Sequence, residues 1–117
     1  MSLLTSYILS MFCFNRSSDL FLGLPFNISS SALFLSIIAK IVGRTPKHLH
    51  ITLGDYHVYK DHFDAVNQQF KTFKHKPPTL KFLRDINSLA DLKDCVSSDF
   101  KLVDYTSEPV ISAPMIA

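Results

Sequence analysis

Apolar positions along this chain switch between two periods, and the switches mark its elements. Tyr7 to Phe14 (Y-I-L-S-M-F-C-F) is β-prone and mostly apolar on both alternating sets, which predicts a strand covered on both faces. Met1 to Ser6 supplies no turn chemistry, cap or earlier element for that strand to pair with, a hint that a partner segment is missing. Arg16 to Asn27 (R-S-S-D-L-F-L-G-L-P-F-N) follows neither period, because Gly23 and Pro25 interrupt both, and it predicts an irregular loop. Asn27 or Ser29 then offers a side-chain oxygen to the first free N–H groups of a helix. In that helix Ile28, Ala32, Leu35, Ala39 and Val42 form one apolar face, while Leu33, Phe34, Ile37, Ile38 and Ile41 fill most of the rest. Only Ser29, Ser36 and Lys40 make a polar stripe, the pattern of a core helix, and Gly43 suits its C-terminal cap.

Beyond the helix, Pro46 opens an extended run over Lys47 to Thr52 that sets His48 and His50 on one face. Leu53-Gly54-Asp55 reads as a turn into Tyr56-His57-Val58-Tyr59. Phe63, Val66, Phe70 and Phe73 fall at helical spacing, giving an amphipathic surface helix from about Asp61 to Phe73 that Pro77-Pro78 terminates. Thr79 to Phe82 is a short strand, Asp85 to Ser98 a loop with a helical turn, and Phe100 to Tyr105 a last strand. Pro109 and Pro114 keep the tail from Glu108 to Ala117 extended.

Composition narrows the class. At 117 residues, 47% hydrophobic with ten Phe, the chain is one small globular domain. A net charge of +2 is too small to imply nucleic acid. The densest basic run (Lys71, Lys74, His75, Lys76) reads as a solvated helix end. Cys13 and Cys95 are too few and too distant for a disulfide framework or a zinc site, so a reduced, intracellular protein is expected. The apolar start lacks the basic segment and cleavage site of a signal peptide. Ile28 to Val42 is shorter than the ~20 residues a membrane helix needs, so no membrane span is required.

Candidate chemistry gathers around Arg16 to Asn27. Arg16 with Ser17 can bind a phosphate, the guanidinium forking onto two oxygens and the hydroxyl donating a third bond. The competing reading is a salt bridge from Arg16 to Asp19. Asn27 presents one acceptor and two donor hydrogens, the complement of an imide edge, or else a helix cap. His57 and Tyr59 share a face in an extended segment and could clamp a sugar hydroxyl or satisfy each other. His48, His50, His57 and His62 lack metal-ligand spacing, so no metal site is expected. Cys13, in an apolar strand without a neighbouring cation, and Cys95, in a polar loop without a partner, both fail as activated nucleophiles.

R-S-S-D-L-F-L-G-L-P-F-N-I resembles the nucleotide-binding segment of thymidylate synthases. The likeness continues through I-A-K, G-D-Y-H-V-Y, D-H-F-D-A-V, P-P-T-L-K, L-V-D-Y-T-S-E-P and the late A-P, covering about Ile8 to Ala117. The resemblance implies an enzyme, a methyltransferase that converts dUMP to dTMP with methylenetetrahydrofolate as co-substrate, which leaves as dihydrofolate. It implies an α/β (α+β) fold, a mixed β-sheet packed on a buried central helix, normally a symmetric homodimer through sheet faces. Residues 1–117 would be the carboxy-terminal portion of that domain. Carried over, Arg16 and Ser17 hold the dUMP phosphate, with Arg16 also beside the nucleophilic thiolate. Asp19 meets the pyrimidine and places the folate, and Asn27 reads the pyrimidine edge. His57 and Tyr59 bond the deoxyribose 3′-hydroxyl, Asp55 is structural, and Phe26 supports Asn27. Gly23 gives room beside the folate, and the tail from Pro114 to Ala117 closes over both ligands.

The sequence departs from the family pattern in three ways. The family nucleophile is the Cys of a P-C-H motif upstream of the arginine, and none of the fifteen residues before Arg16 reads P-C-H. The family's amino-terminal folate contacts and the arginine pair that reaches a neighbouring subunit's phosphate have no counterpart. Ser112 stands in place of the usual Lys and Ser31 in place of the usual Tyr. The expectation is a synthase-type chain that is inactive by itself. The alternatives are a non-catalytic remnant that binds nucleotide or a full-length subunit, or a dUMP hydroxymethylase. A cytoplasmic, nuclear or mitochondrial location is expected.

Overall fold

The first apolar run becomes strand β1 (Ile8–Asn15), paired in parallel with β3 (Thr45–Leu53) from Ile8 opposite Thr45 to Asn15 opposite Leu53. The computed structural model describes residues 7–116, so the readings of Met1 to Ser6 and of Ala117 lie outside the described residues. The register slips between Leu9 and Ser10, where Pro46 faces Leu9 without an N–H to give the ladder. Parallel strands need a crossover, and helix α1 (Gly23–Ile41) provides it.

α1 starts five residues before Ile28, inside the stretch that sequence reads as a loop. Two local effects explain the early start. The Asp19 carboxylate accepts from the backbone N–H groups of Phe21 (3.1 Å) and Leu22 (3.4 Å), giving the entering chain the partners it lacks. Pro25 falls in the first turn, where a missing N–H breaks no helical bond. Asn27 and Ser29 therefore lie within α1 and cap nothing; the Ser29 hydroxyl donates back to the Pro25 carbonyl at 3.0 Å. Gly43, at φ +65°, ends the helix as expected.

Strand β2 (Ser18–Asp19) pairs in parallel with β4 (Tyr56–His57). A 3-10 turn (Lys60–His62) leads into α2 (Phe63–Phe70), which ends three residues short of Phe73. Strand β5 (Thr79–Phe82) runs antiparallel to β6 (Phe100–Val103), the Phe82 and Phe100 rings meeting edge-on. Between them, Ser88 and Asp91 cap α3 (Leu89–Lys93) reciprocally: the Ser88 hydroxyl accepts from Asp91 N–H, and the Asp91 carboxylate accepts from Asn87 N–H. The Asn87 N–H foremost, and then the Ser88 hydroxyl, hold the Asp91 carboxyl below its ordinary value.

Helices and strands mix as an α/β fold, with the strands in three two-stranded pieces. One face of β1 and β3, carrying Met11, Cys13, Leu49 and Ile51, is half-buried under α1. The other face stays open, with Phe12 78% and Phe14 70% exposed and Phe12 stacked on His50 at 4.4 Å. The prediction of cover on both faces of β1 is corrected accordingly. α1 behaves likewise: it buries Leu35, Ile37 and Ala39 but leaves Phe26, Ile28 and Phe34 exposed. A helix apolar all round needs layers on several sides, and among the described residues the one sheet layer against it is not enough. The radius of gyration, 17.3 Å, exceeds the roughly 13 Å of a compact chain of this size. By length and composition alone, the 19-residue α1 also qualifies as a membrane span, which the shorter run read from sequence did not.

Candidate functional site

Four backbone hydrogen bonds zip the segment after β1 to the segment after β3. Gly54 N–H donates to Asn15 O (2.8 Å) and Asp55 N–H to Arg16 O (3.0 Å). Ser18 N–H donates to Asp55 O (3.0 Å) and Leu20 N–H to His57 O (3.0 Å). This ladder carries the parallel direction of β1 and β3 onward into β2 and β4 and places Asp19 directly opposite His57. Gly54 permits the approach: a Cβ there would sit 2.8 Å from Phe14 Cζ and 3.1 Å from the Arg16 carbonyl. The Phe14 ring tip could swing away, but the Arg16 backbone is fixed by the ladder.

Ser18 is turned inward and buried, whereas Arg16 and Ser17 are exposed and Asp19 is partly exposed. Among the ion pairs of the described residues Arg16 takes no part; the side chain beside Asp19 is His62, with Nδ1 3.8 Å from Oδ1. The predicted alternative of an Arg16–Asp19 bridge is therefore not formed, and Arg16 is exposed to solvent. His57 and Tyr59 do come together, with ring centroids 4.9 Å apart and planes at 71°. Gly23 lies close to Asp19, where a Cβ would be 3.4 Å from the Asp19 Cβ. One helical turn on, Asn27 sits above that contact on the same side of α1, exposed, its carboxamide without a hydrogen bond among the described residues.

The first turn of α1 also faces the tail. Phe21, Leu22, Pro25 and Phe26 line an open groove of about 380 Å³ whose opposite wall includes Pro109 and Ile111. Gln69, Thr72 and Glu108 also line it, so its walls mix polar and apolar surface.

Two residues at the site escape a reading of the sequence. Ser18 is buried with its hydroxyl unpartnered. His62 is fully buried, and its Nε2 lies 2.7 Å from the carbonyl oxygen of Pro114. Nothing local to His62 signals this contact, since Pro114 is 52 residues away. Cys13 and Cys95 are free and half-buried, and the Cys95 thiol donates to the Asp91 carbonyl at 3.4 Å. Among the described residues no three of His, Cys, Asp and Glu converge to hold a metal ion.

Comparison with known proteins follows the same residues. The family model described as thymidylate synthase matches residues 1–117. The thymidylate synthase of Saccharomyces cerevisiae is 43% identical over 107 residues, covering 92% of this chain and 34% of that protein. The thymidylate synthase of Agaricus bisporus is 42% identical over the same share of this chain and 36% of its own length. The bifunctional dihydrofolate reductase-thymidylate synthase of Leishmania major is 41% identical, with 20% of its length covered. The chain thus spans about a third or less of the length of the curated relatives it matches. A match along the whole of its length, with this identity to named synthases, places the chain in the thymidylate synthase family.

Proposed function

We propose that this chain carries the nucleotide-holding part of a thymidylate synthase site, where dUMP is presented for methylation to dTMP by methylenetetrahydrofolate. The observation that supports this most is the backbone ladder, which sets Arg16, Ser17 and Asp19 beside His57 and Tyr59 although some forty residues separate the two groups. Arg16 and Ser17 take the phosphate, the unpaired guanidinium offering two parallel N–H donors. His57 and Tyr59 take the deoxyribose 3′-hydroxyl from the paired segment. Asn27 reads the O4 and N3–H edge of uracil with an acceptor and a donor. Asp19, already bound to the helix start, orients the ring and one end of the folate. The folate lies in the groove between Phe21, Pro25 and the tail, with Gly23 giving it room and the tail around Pro114 excluding water above it.

Methyl transfer in this family's chemistry requires a thiolate that adds to pyrimidine C6. Neither cysteine of these 117 residues suits the role: Cys13 is half-buried in β1, and the Cys95 thiol is tied to a backbone carbonyl. The 117-residue chain therefore binds dUMP without turning it over. Calorimetric titration should show saturable dUMP binding and weaker dCMP binding, and tritium release from 5-tritiated dUMP with methylenetetrahydrofolate should be nil. Failure to bind either nucleotide sinks the assignment, and clear tritium release sinks the argument about the nucleophile.

A second role is supported by the open sheet face. Phe12 and Phe14 beside His50 form an apolar surface that favours association with another copy or with a full-length subunit. Sedimentation at increasing concentration should show self-association, and a chain that stays monomeric would count against it. We read α1 as a core helix rather than a membrane span, because it packs on β1 and β3 and carries Lys40. The protein acts in the cytoplasm, nucleus or mitochondrion, without nucleic acid or membrane partners.

A further inference from the structure

After β6 the chain turns at Asp104, which adopts φ +59°, and runs without regular structure through residue 116. Two histidines touch this tail. His75 Nε2 meets the Glu108 carboxylate at 3.2 Å in a part-exposed pair. His62 Nε2 meets the Pro114 carbonyl at 2.7 Å, with the ring fully buried. A carbonyl oxygen only accepts, so Nε2 of His62 carries the hydrogen.

The His62 ring also has neighbours on its other sides. Tyr59 packs edge-on against it at 5.5 Å and 82°, and Phe21 lies tilted at 5.5 Å. Its Nδ1 points toward Asp19 Oδ1 at 3.8 Å, too far for a hydrogen bond, and has no other partner among the described residues. The same Asp19 oxygen accepts from the Phe21 and Leu22 N–H groups that start α1. One ring thus touches the tail, the groove wall, and two of the side chains assigned to ligands.

The geometry points to His62 as the positioning residue that ties the carboxy-terminal tail to the nucleotide-holding site. Its Nε2–H latches the Pro114 carbonyl, and its ring braces Tyr59 and Asp19. Tail docking and the geometry of those two residues are coupled: releasing the tail frees the His62 ring, and a ring displaced from Asp19 and Tyr59 lets go of Pro114. The tail half of this inference stands on contacts alone; the ligand half rests on the dUMP reading of Asp19 and Tyr59.

Two isosteric variants separate the roles of the two nitrogens. In His62→Gln the side-chain amide reaches the position of Nε2 and can still donate to Pro114; in His62→Asn it ends near Nδ1 and cannot. Amide exchange of the tail from Glu108 onward, measured without ligand on the full chain, should be about ten-fold faster in His62→Asn, the loss of one well-placed hydrogen bond. His62→Gln should stay within about two-fold of the parent. The affinity for dUMP should fall by roughly five-fold or more in His62→Asn and be restored in His62→Gln. Truncation after Ser112, which removes the Pro114 carbonyl and leaves His62 intact, should cause the same loss. Combined with His62→Asn it should add nothing further, as expected for two changes that break one contact.

Equal behaviour of the Gln and Asn variants, an unchanged tail in His62→Asn, or additive losses in the combined variant would each overturn the assignment. If His62→Asn fails to fold, the truncated chain decides: unaltered dUMP affinity refutes the coupling, and a fall of about five-fold or more upholds it. A parent chain that binds no dUMP at all refutes the nucleotide reading, while the exchange measurement still judges the latch.

Discussion

Replacing Arg16 with alanine is expected to weaken dUMP binding by about 30- to 150-fold, or roughly 2–3 kcal/mol. A forked guanidinium gives two charge-assisted hydrogen bonds to a phosphate, each worth about 1.5–3 kcal/mol where water is excluded. Arg16 is exposed, so screening reduces that sum. The backbone at Arg16 is held by the Asp55 N–H bond to its carbonyl, which the substitution leaves in place. The loss should therefore appear in affinity and not in folding. Deoxyuridine, which lacks the phosphate, provides the control. Its weaker binding should be the same in the parent chain and in Arg16→Ala, and Arg16→Lys should recover only part of the dUMP affinity because a point charge cannot fork. Equal weakening of both ligands would show that Arg16 does not hold the phosphate.

Ile86→Ala should lower the free energy of unfolding by about 2–4 kcal/mol, read from the urea midpoint with the slope unchanged. Ile86 has no exposed surface and is one of only six buried apolar side chains among the described residues. Small domains are stable by about 5–15 kcal/mol in total, so one such cavity removes a large share. Ile86→Val should cost about 0.5–1.5 kcal/mol. Val110→Ala, at a site 90% exposed, should cost next to nothing. If Ile86→Ala were as mild as Val110→Ala, the small core would not be what holds the fold.

β1, β3, β5, β6 and α2 are legible in the sequence because their apolar spacing is regular, whereas β2 falls in the stretch that reads as a loop. The start of α1 is not, and the reason is chemical. Gly23 and Pro25 count against a helix interior, yet in a first turn the missing Pro N–H costs little, and Asp19 supplies acceptors from three residues upstream. The extent of burial is not legible either. An all-apolar helix announces that it wants cover, but its sequence cannot say whether this stretch of chain or another polypeptide provides it.

Most of the candidate site is visible as residue types, while its assembly and the buried Ser18 and His62 are hidden. Arg16, Ser17, Asp19, His57 and Tyr59 are identifiable from their chemistry and from family resemblance. Their adjacency depends on a parallel register that no local pattern encodes. Asn27 is harder, because a carboxamide ahead of an apolar run reads equally well as a cap. His62 could not be found, since a single histidine at the start of an amphipathic helix resembles any surface residue until Pro114 is placed against it.

The latch has a consequence for the order in which the chain is made. A ribosome that has released residues up to His62 has already delivered both rails of the backbone ladder and the helix that crosses between them. Amino-terminal segments can begin to fold during synthesis, so Arg16 and His57 can meet while the carboxy-terminal half is still being translated. Pro114 follows His62 by 52 residues. The backbone ladder is thus complete before the residue that fastens it has been made. A nascent chain stalled before the tail would present the ladder without the contact that fixes the His62 ring.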